Sequence, residues 1–152
     1  MFENCTSLTT PPALPASTLA NWCYNSMFAG CTALTTVPTL SSIDTKYYSQ
    51  FSYAYMFQGC TSLSTVPKDL LPAMDLEREC YEGMFAYCSN LTAAPDLPAS
   101  TLATKCYAEM FKGCSKLSSI DVSFTDWNEN LNATTDWVSG VQTNGGTFTK
   151  YP

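Results

Sequence analysis

Histidine is absent from all 152 residues. Its absence removes Ser-His-Asp and Cys-His catalysis together with His-containing metal sites. Basic residues are scarce, with 7 Lys and Arg against 13 Asp and Glu for a net charge of −6. An acidic surface repels phosphate backbones, so nucleic-acid partners are not expected. No apolar run approaches the ~20 residues that span a bilayer, so direct membrane insertion is not expected either. The N-terminus has no basic segment followed by a long apolar stretch, the mark of a signal peptide. There is no Cys-x-x-Cys, and no Ser sits in a Gly-x-Ser-x-Gly nucleophile elbow.

What is present is repetition. The phrase Met-Phe-x-x-Cys-x-x-Leu starts at Met1, Met27, Met56, Met84 and Met110. A period of this size marks one small unit stacked on copies of itself. Numbered from its Met, position two is always Phe (Phe2, Phe28, Phe57, Phe85, Phe111). Position five is always Cys and position eight always Leu, while position twelve is Pro12, Pro38, Pro67 and Pro95 but Asp121 in the fifth copy. Residues repeated this strictly are expected to face the core.

The segment before each Met is expected to be helical. Leu19, Cys23 and Met27 fall at i, i+4 and i+8, as do Leu76, Cys80, Met84 and Leu102, Cys106, Met110, with Tyr48, Ser52 and Met56 in the second such segment. Thr18, Asp75 and Thr101 are the candidate N-caps. Gly30, Gly59 and Gly113, with Asn4, suit a positive φ past a helix end. Tyr87 stands in that place in the fourth copy, where strain or another turn is expected. Leu34-Thr35-Thr36-Val37 alternates as a short strand that Pro38 should end. Extra residues near Thr39–Lys46 and Lys68–Asp75 are expected in surface loops. After Asp121 the phrase dissolves, and 121–152 is expected to be a cap. Trp127 and Trp137 would cover the last unit, and a hairpin about Asn144-Gly145 would close the edge. The chain opens inside a repeat, so further repeats upstream are expected, and the uncapped first unit is a place for self-association.

The string Met27-Phe28-Ala29-Gly30-Cys31-Thr32-Ala33-Leu34-Thr35-Thr36-Val37-Pro38 resembles the BspA-like leucine-rich repeats of bacterial surface proteins. The resemblance covers about residues 1–120. It implies an α/β solenoid of the BspA-like leucine-rich repeat type, with about five helix–turn–short strand units and a C-terminal cap. It further implies an extracellular or cell-surface adhesion module that binds a host protein or a glycan, with no catalytic residues to carry over. The alternative is a structural spacer in a large surface or phage tail protein. Departures from the family phrase are Ser52 for Cys, Tyr87 for Gly and Asp121 for Pro.

No enzyme activity, cofactor or metal is expected. The eight cysteines read as buried ladder thiols, because free Cys behaves as a small hydrophobe; disulfides are the alternative in an oxidising environment. Tyr24, Tyr53, Tyr81 and Tyr107 form a ladder that could stack on sugar rings or grip a protein, against the plainer reading of packing between units. Glu79 and Glu82 beside Arg78 read as a solvated face. A binding module should show surface aromatics that break the repeat symmetry, and a spacer should show uniform polar faces.

Overall fold

The computed structural model describes residues 1–16, 19–40, 50–71, 75–141 and the backbone of 147–150. Consecutive copies of the repeat lie side by side and share backbone hydrogen bonds. Between the fourth and fifth copies, the amides of Glu79, Tyr81, Gly83, Phe85 and Tyr87 donate to the carbonyls of Thr104, Cys106, Ala108, Met110 and Lys112. The amides in between do something else. Cys80, Glu82, Met84, Ala86 and Cys88 each donate to the carbonyl three residues earlier, in their own copy. Amides thus alternate between a lateral bond and a tight turn, and the carbonyls alternate likewise. Every buried backbone group along this stretch finds a partner.

The turns have a period of four. Positive φ recurs at Trp22, Ser26 and Gly30, at Phe51, Tyr55 and Gly59, at Glu79, Gly83 and Tyr87, and at Lys105, Glu109 and Gly113. Each four-residue unit sets one residue in the left-handed region and turns two side chains inward. The inward pairs are Cys80-Tyr81 and Met84-Phe85 and their equivalents, all buried in the last three full copies.

This backbone corrects the helix–turn–strand solenoid, and with it the leucine-rich repeat architecture. Among the described residues there is no α-helix, only three-residue 3₁₀ turns at Lys68–Leu70 and Glu129–Leu131. Asp75 and Thr101 therefore cap no helix, and Thr18 and Tyr48 lie outside the described residues. An α-helix closes its bonds i→i−4 within itself and has none left for a neighbour. The turn spiral keeps half of its amides and carbonyls for the adjoining copies.

The expected strands are also corrected. Around Leu34–Val37 the copies share single bonds, such as Thr35 amide to Thr9 carbonyl and Thr92 amide to Ser64 carbonyl. Proline at position twelve has no amide to donate and restricts the residue before it. The one copy with Asp121 in its place forms strand β1 (Ser119–Val122), which pairs in parallel with β2 (Thr147–Lys150), Ser119 opposite Thr147. The C-terminal hairpin is thus replaced by a parallel pair; Asn144-Gly145 lies outside the described residues.

Before β2 the chain adds another full coil. Lys105, Tyr107, Glu109, Phe111 and Gly113 donate laterally to Leu131, Ala133, Thr135, Trp137 and Ser139. Asn132, Asp136 and Gly140 repeat the positive φ, and Gly140 lies against Gly113. Trp137 and Val138 therefore occupy the Met and Phe places of a sixth copy.

The core is a set of columns running along the stack. Phe2, Phe28, Phe57, Phe85 and Phe111 stack with centroids 5.6–5.9 Å apart. The phenyl column's neighbour is the cysteine column: each thiol of Cys31, Cys60, Cys88 and Cys114 donates to the carbonyl of the Phe one copy earlier, at 3.0–3.3 Å. That carbonyl already accepts the amide of the Cys in its own copy, so both of its lone pairs are used. Phe124, Trp127 and Trp137 cluster at the end of the tyrosine column, with Phe124 stacked on Tyr107 at 5.9 Å. No helix among the described residues is long and apolar enough to cross a membrane.

Candidate binding face

The left-handed residues form three columns on the outside of the turn spiral. The first runs Trp22, Phe51, Glu79, Lys105, Asn132; the second Ser26, Tyr55, Gly83, Glu109, Asp136; the third Asn4, Gly30, Gly59, Tyr87, Gly113, Gly140. Where the core columns repeat one residue type, these vary. Trp22 and Phe51 stack face to face at 3.8 Å and 7° between planes, with Trp22 56% exposed. The Tyr55 ring lies over Gly83, and the Tyr87 ring over Gly113, where in each case a Cβ on the glycine would collide with the ring. Tyr87 is 49% exposed. A glycine below is what makes room for each tyrosine ring against the neighbouring coil.

Tyr87 keeps the same turn as the glycines of its column, at φ 62°. An L-residue there costs roughly 1–2 kcal/mol. The exception at position four is therefore strain within an unchanged turn.

Charged groups fill the remaining places. Lys112 Nζ is 2.8 Å from Glu109 Oε1, and this hydrogen bond raises the Lys112 pKa and keeps it charged. Arg78 Nε is 3.0 Å from Glu79 Oε1, and Lys105 Nζ is 4.0 Å from Glu82 Oε1. Glu79 is only 5% exposed, which corrects the solvated-face reading of Glu79 and Glu82. Burial raises the Glu82 carboxyl above its ordinary range, and a hydrogen bond and charge repulsion from Glu79 push it further. Burial and the Glu82 carboxylate likewise raise the Tyr55 phenol. Carboxyls in direct contact leave no space for the water that an inverting glycosidase holds between its pair. No group of three or more Cys, Asp or Glu among the described residues is arranged to hold a metal ion.

The tyrosine ladder is somewhere else. Tyr24 is half-buried, while Tyr53, Tyr81 and Tyr107 are buried and stack at 5.7–6.1 Å inside the spiral. The hydroxyls of Tyr81 and Tyr107 are buried without a hydrogen-bond partner, and burial drives both phenols well above their usual pKa. These three rings have no face open to a ligand. The ladder packs neighbouring copies together, and its phenolic ends do not reach water at Tyr81 and Tyr107.

The residues that do face outward, Trp22, Phe51, Tyr55 and Tyr87, were marked in the sequence by irregularity. Each is a large aromatic in a column that elsewhere holds Gly, Ser, Asn or a charged residue, and Trp22 and Phe51 are neighbours in one column. Only Tyr87 stands out by simple inspection of the phrase, because the other columns precede the Met. The shallow groove lined by Val37–Leu40, Pro67, Asp69 and Leu70 gathers no comparable set of side chains. Comparison with protein-family models, with curated proteins and with solved structures finds no match for this chain.

Proposed function

We propose that this chain is a non-catalytic recognition module of a bacterial cell-surface or secreted protein, and that its ligand docks on the outer face of the turn spiral. The observation that carries the reading is the set of aromatics at left-handed positions. Trp22, Phe51, Tyr55 and Tyr87 occupy places where a non-glycine residue costs free energy, and no other place in the three columns carries an aromatic. Two of them remain about half exposed. Stacking of the repeats needs none of this, since the buried Phe, Tyr, Cys and Leu columns already supply the cohesion. A spacer function explains the uniform core equally well and leaves the irregular outer aromatics without a role.

A rigid wide face suits an extended partner such as a matrix protein or a glycan chain. The test is a binding screen of immobilised extracellular-matrix proteins and glycans with the parent chain and with a Trp22→Ser/Phe51→Ser/Tyr87→Gly variant. The reading expects a ligand for the parent chain and loss of that ligand in the variant with the circular dichroism spectrum unchanged. Binding that survives all three substitutions would move recognition off this face. No ligand for either protein would leave the spacer reading in possession.

A further inference from the structure

The outer face also indicates the chemical class of the ligand, an inference that rests on the recognition reading above. The Tyr87 ring packs against Gly113 through its Cδ1–Cε1 edge, and the residue remains 49% exposed. Lys112 precedes that glycine, and Glu109 stands one four-residue unit before it on the same coil. The two are joined by a 2.8 Å ion pair with each side chain about one-third exposed or less. A second ring, Tyr55 against Gly83, sits one four-residue unit back along the coil that bears Tyr87.

This is an exposed aromatic with a donor and an acceptor on the adjoining coil, where the Tyr87 amide bonds the Lys112 carbonyl and Lys112 is paired with Glu109. A pyranose ring has a matching build: an apolar face of C–H groups bounded by hydroxyls that both donate and accept. A tyrosine ring provides flat apolar contact at little cost in side-chain freedom. A protein hot spot has a different shape, a desolvated pocket enclosed by a rim that excludes water, and the Tyr87 ring is not enclosed. The net charge of −6 opposes sulfated or otherwise anionic chains. We propose that Tyr87 is the platform of a binding site for neutral glycans, with a sugar ring stacked on its exposed face and the sugar hydroxyls bonded to Lys112 and Glu109.

The same geometry supplies a decisive variant. Tyr87→Gly restores the residue that the rest of the column prefers and relieves the left-handed strain at this position. The variant should therefore melt at a higher temperature than the parent chain while binding less. Calorimetric titration with hexasaccharides of β-1,4-linked glucose, β-1,4-linked N-acetylglucosamine and α-linked mannose, with a heparin hexasaccharide as the anionic comparison, reads the affinity. At least one neutral saccharide should bind. Its affinity should fall by about tenfold or more in Tyr87→Gly and be kept in Tyr87→Trp, and heparin should not bind. Equal affinity for parent and Tyr87→Gly would overturn the proposal, as would failure of every neutral saccharide to bind. In the latter case the matrix-protein screen separates the two claims. Protein binding that is lost on Trp22→Ser/Phe51→Ser would leave the recognition face standing without its sugar site. An absence of protein binding as well would remove both.

Discussion

Glu82 illustrates how a single residue on the spiral carries a measurable signature. Burial first, and then the Glu79 carboxyl, hold its pKa above the ordinary carboxylate range. The folded chain therefore binds this proton more tightly than the unfolded chain. Its effect on stability is most favourable below the ordinary value of about 4.3, and is lost as pH rises through the raised folded value. Glu82→Gln keeps an acceptor for Tyr55 and removes the titration. The variant should melt higher than the parent at pH 7, and the gap should narrow as pH falls toward the ordinary carboxylate range. An unchanged gap across that range would contradict the assignment. The thiols give a second signature. Cys5 and Cys23 are exposed, and the other six cysteines are buried and free. Burial pushes Cys106 up to about 11 and Cys60 and Cys114 up to about 12, so at pH 8 these stay protonated and shielded. Titration with a thiol reagent should label two cysteines in the native protein and eight in denaturant. Fewer than eight in denaturant would mean that disulfides have formed.

At the scale of the element, the spacing of the apolar residues was legible but its period was misleading. Three residues at i, i+4 and i+8 fit an α-helix. The inward run is longer, however: Leu76, Cys80, Met84 and Cys88 are four residues at three steps of four, and the last three are fully buried. A helix advances about 100° per residue, so each step of four drifts about 40° and three steps drift about 120°. A strict period of four points to a spiral that closes in four residues, which these coils do by setting every fourth residue at positive φ. The sixth coil escaped notice because Trp137, Val138 and Val141 replace Met, Phe and Cys, leaving Gly140 as the only retained letter of its phrase. Strand β1 was hidden by the opposite cause, since Asp121 looked like a failed proline and is the copy in which a strand forms. The glycine column gives the test of the element. Gly113 has φ +73°, and a Cβ there would press on the Tyr87 ring. Gly113→Ala should destabilise by about 1–2 kcal/mol from the left-handed backbone alone, measured by urea unfolding. In a Tyr87→Gly background the cost of Gly113→Ala, measured against Tyr87→Gly alone, should fall only by the part due to the collision. Disappearance of that cost would mean that the backbone at position 113 is unstrained.

The whole molecule behaves as a one-dimensional stack, in which each coil packs on its neighbours and Lys68 of the third copy reaches past the fourth to Asp121 of the fifth, at 3.3 Å. The core was legible at this scale because strict repetition in Phe, Cys and Leu leaves little else for those side chains to do. The binding face was not, because it consists of exceptions, and the sequence gives no sign of which exceptions point outward until the four-residue period is known. Phe85 lies between Phe57 and Phe111 and is fully buried, while Phe2 stacks on Phe28 alone and is half-buried. Phe85→Ala should therefore cost about 3–5 kcal/mol, the usual range for a buried phenylalanine, and Phe2→Ala clearly less. A loss under ~1 kcal/mol for Phe85→Ala would place that column outside the core. All of these expectations, and the outward placement of Tyr87, depend on amides that bond across coils. The most direct test is to measure hydrogen-bond scalar couplings in isotope-labelled protein by nuclear magnetic resonance. The lateral ladder predicts a coupling from the Phe85 amide to the Met110 carbonyl, 3.0 Å away, and from the Met84 amide to the Tyr81 carbonyl, 3.2 Å away. A coupling from the Phe85 amide to the Tyr81 carbonyl, four residues earlier as in an α-helix, would contradict the turn spiral and the binding face built on it.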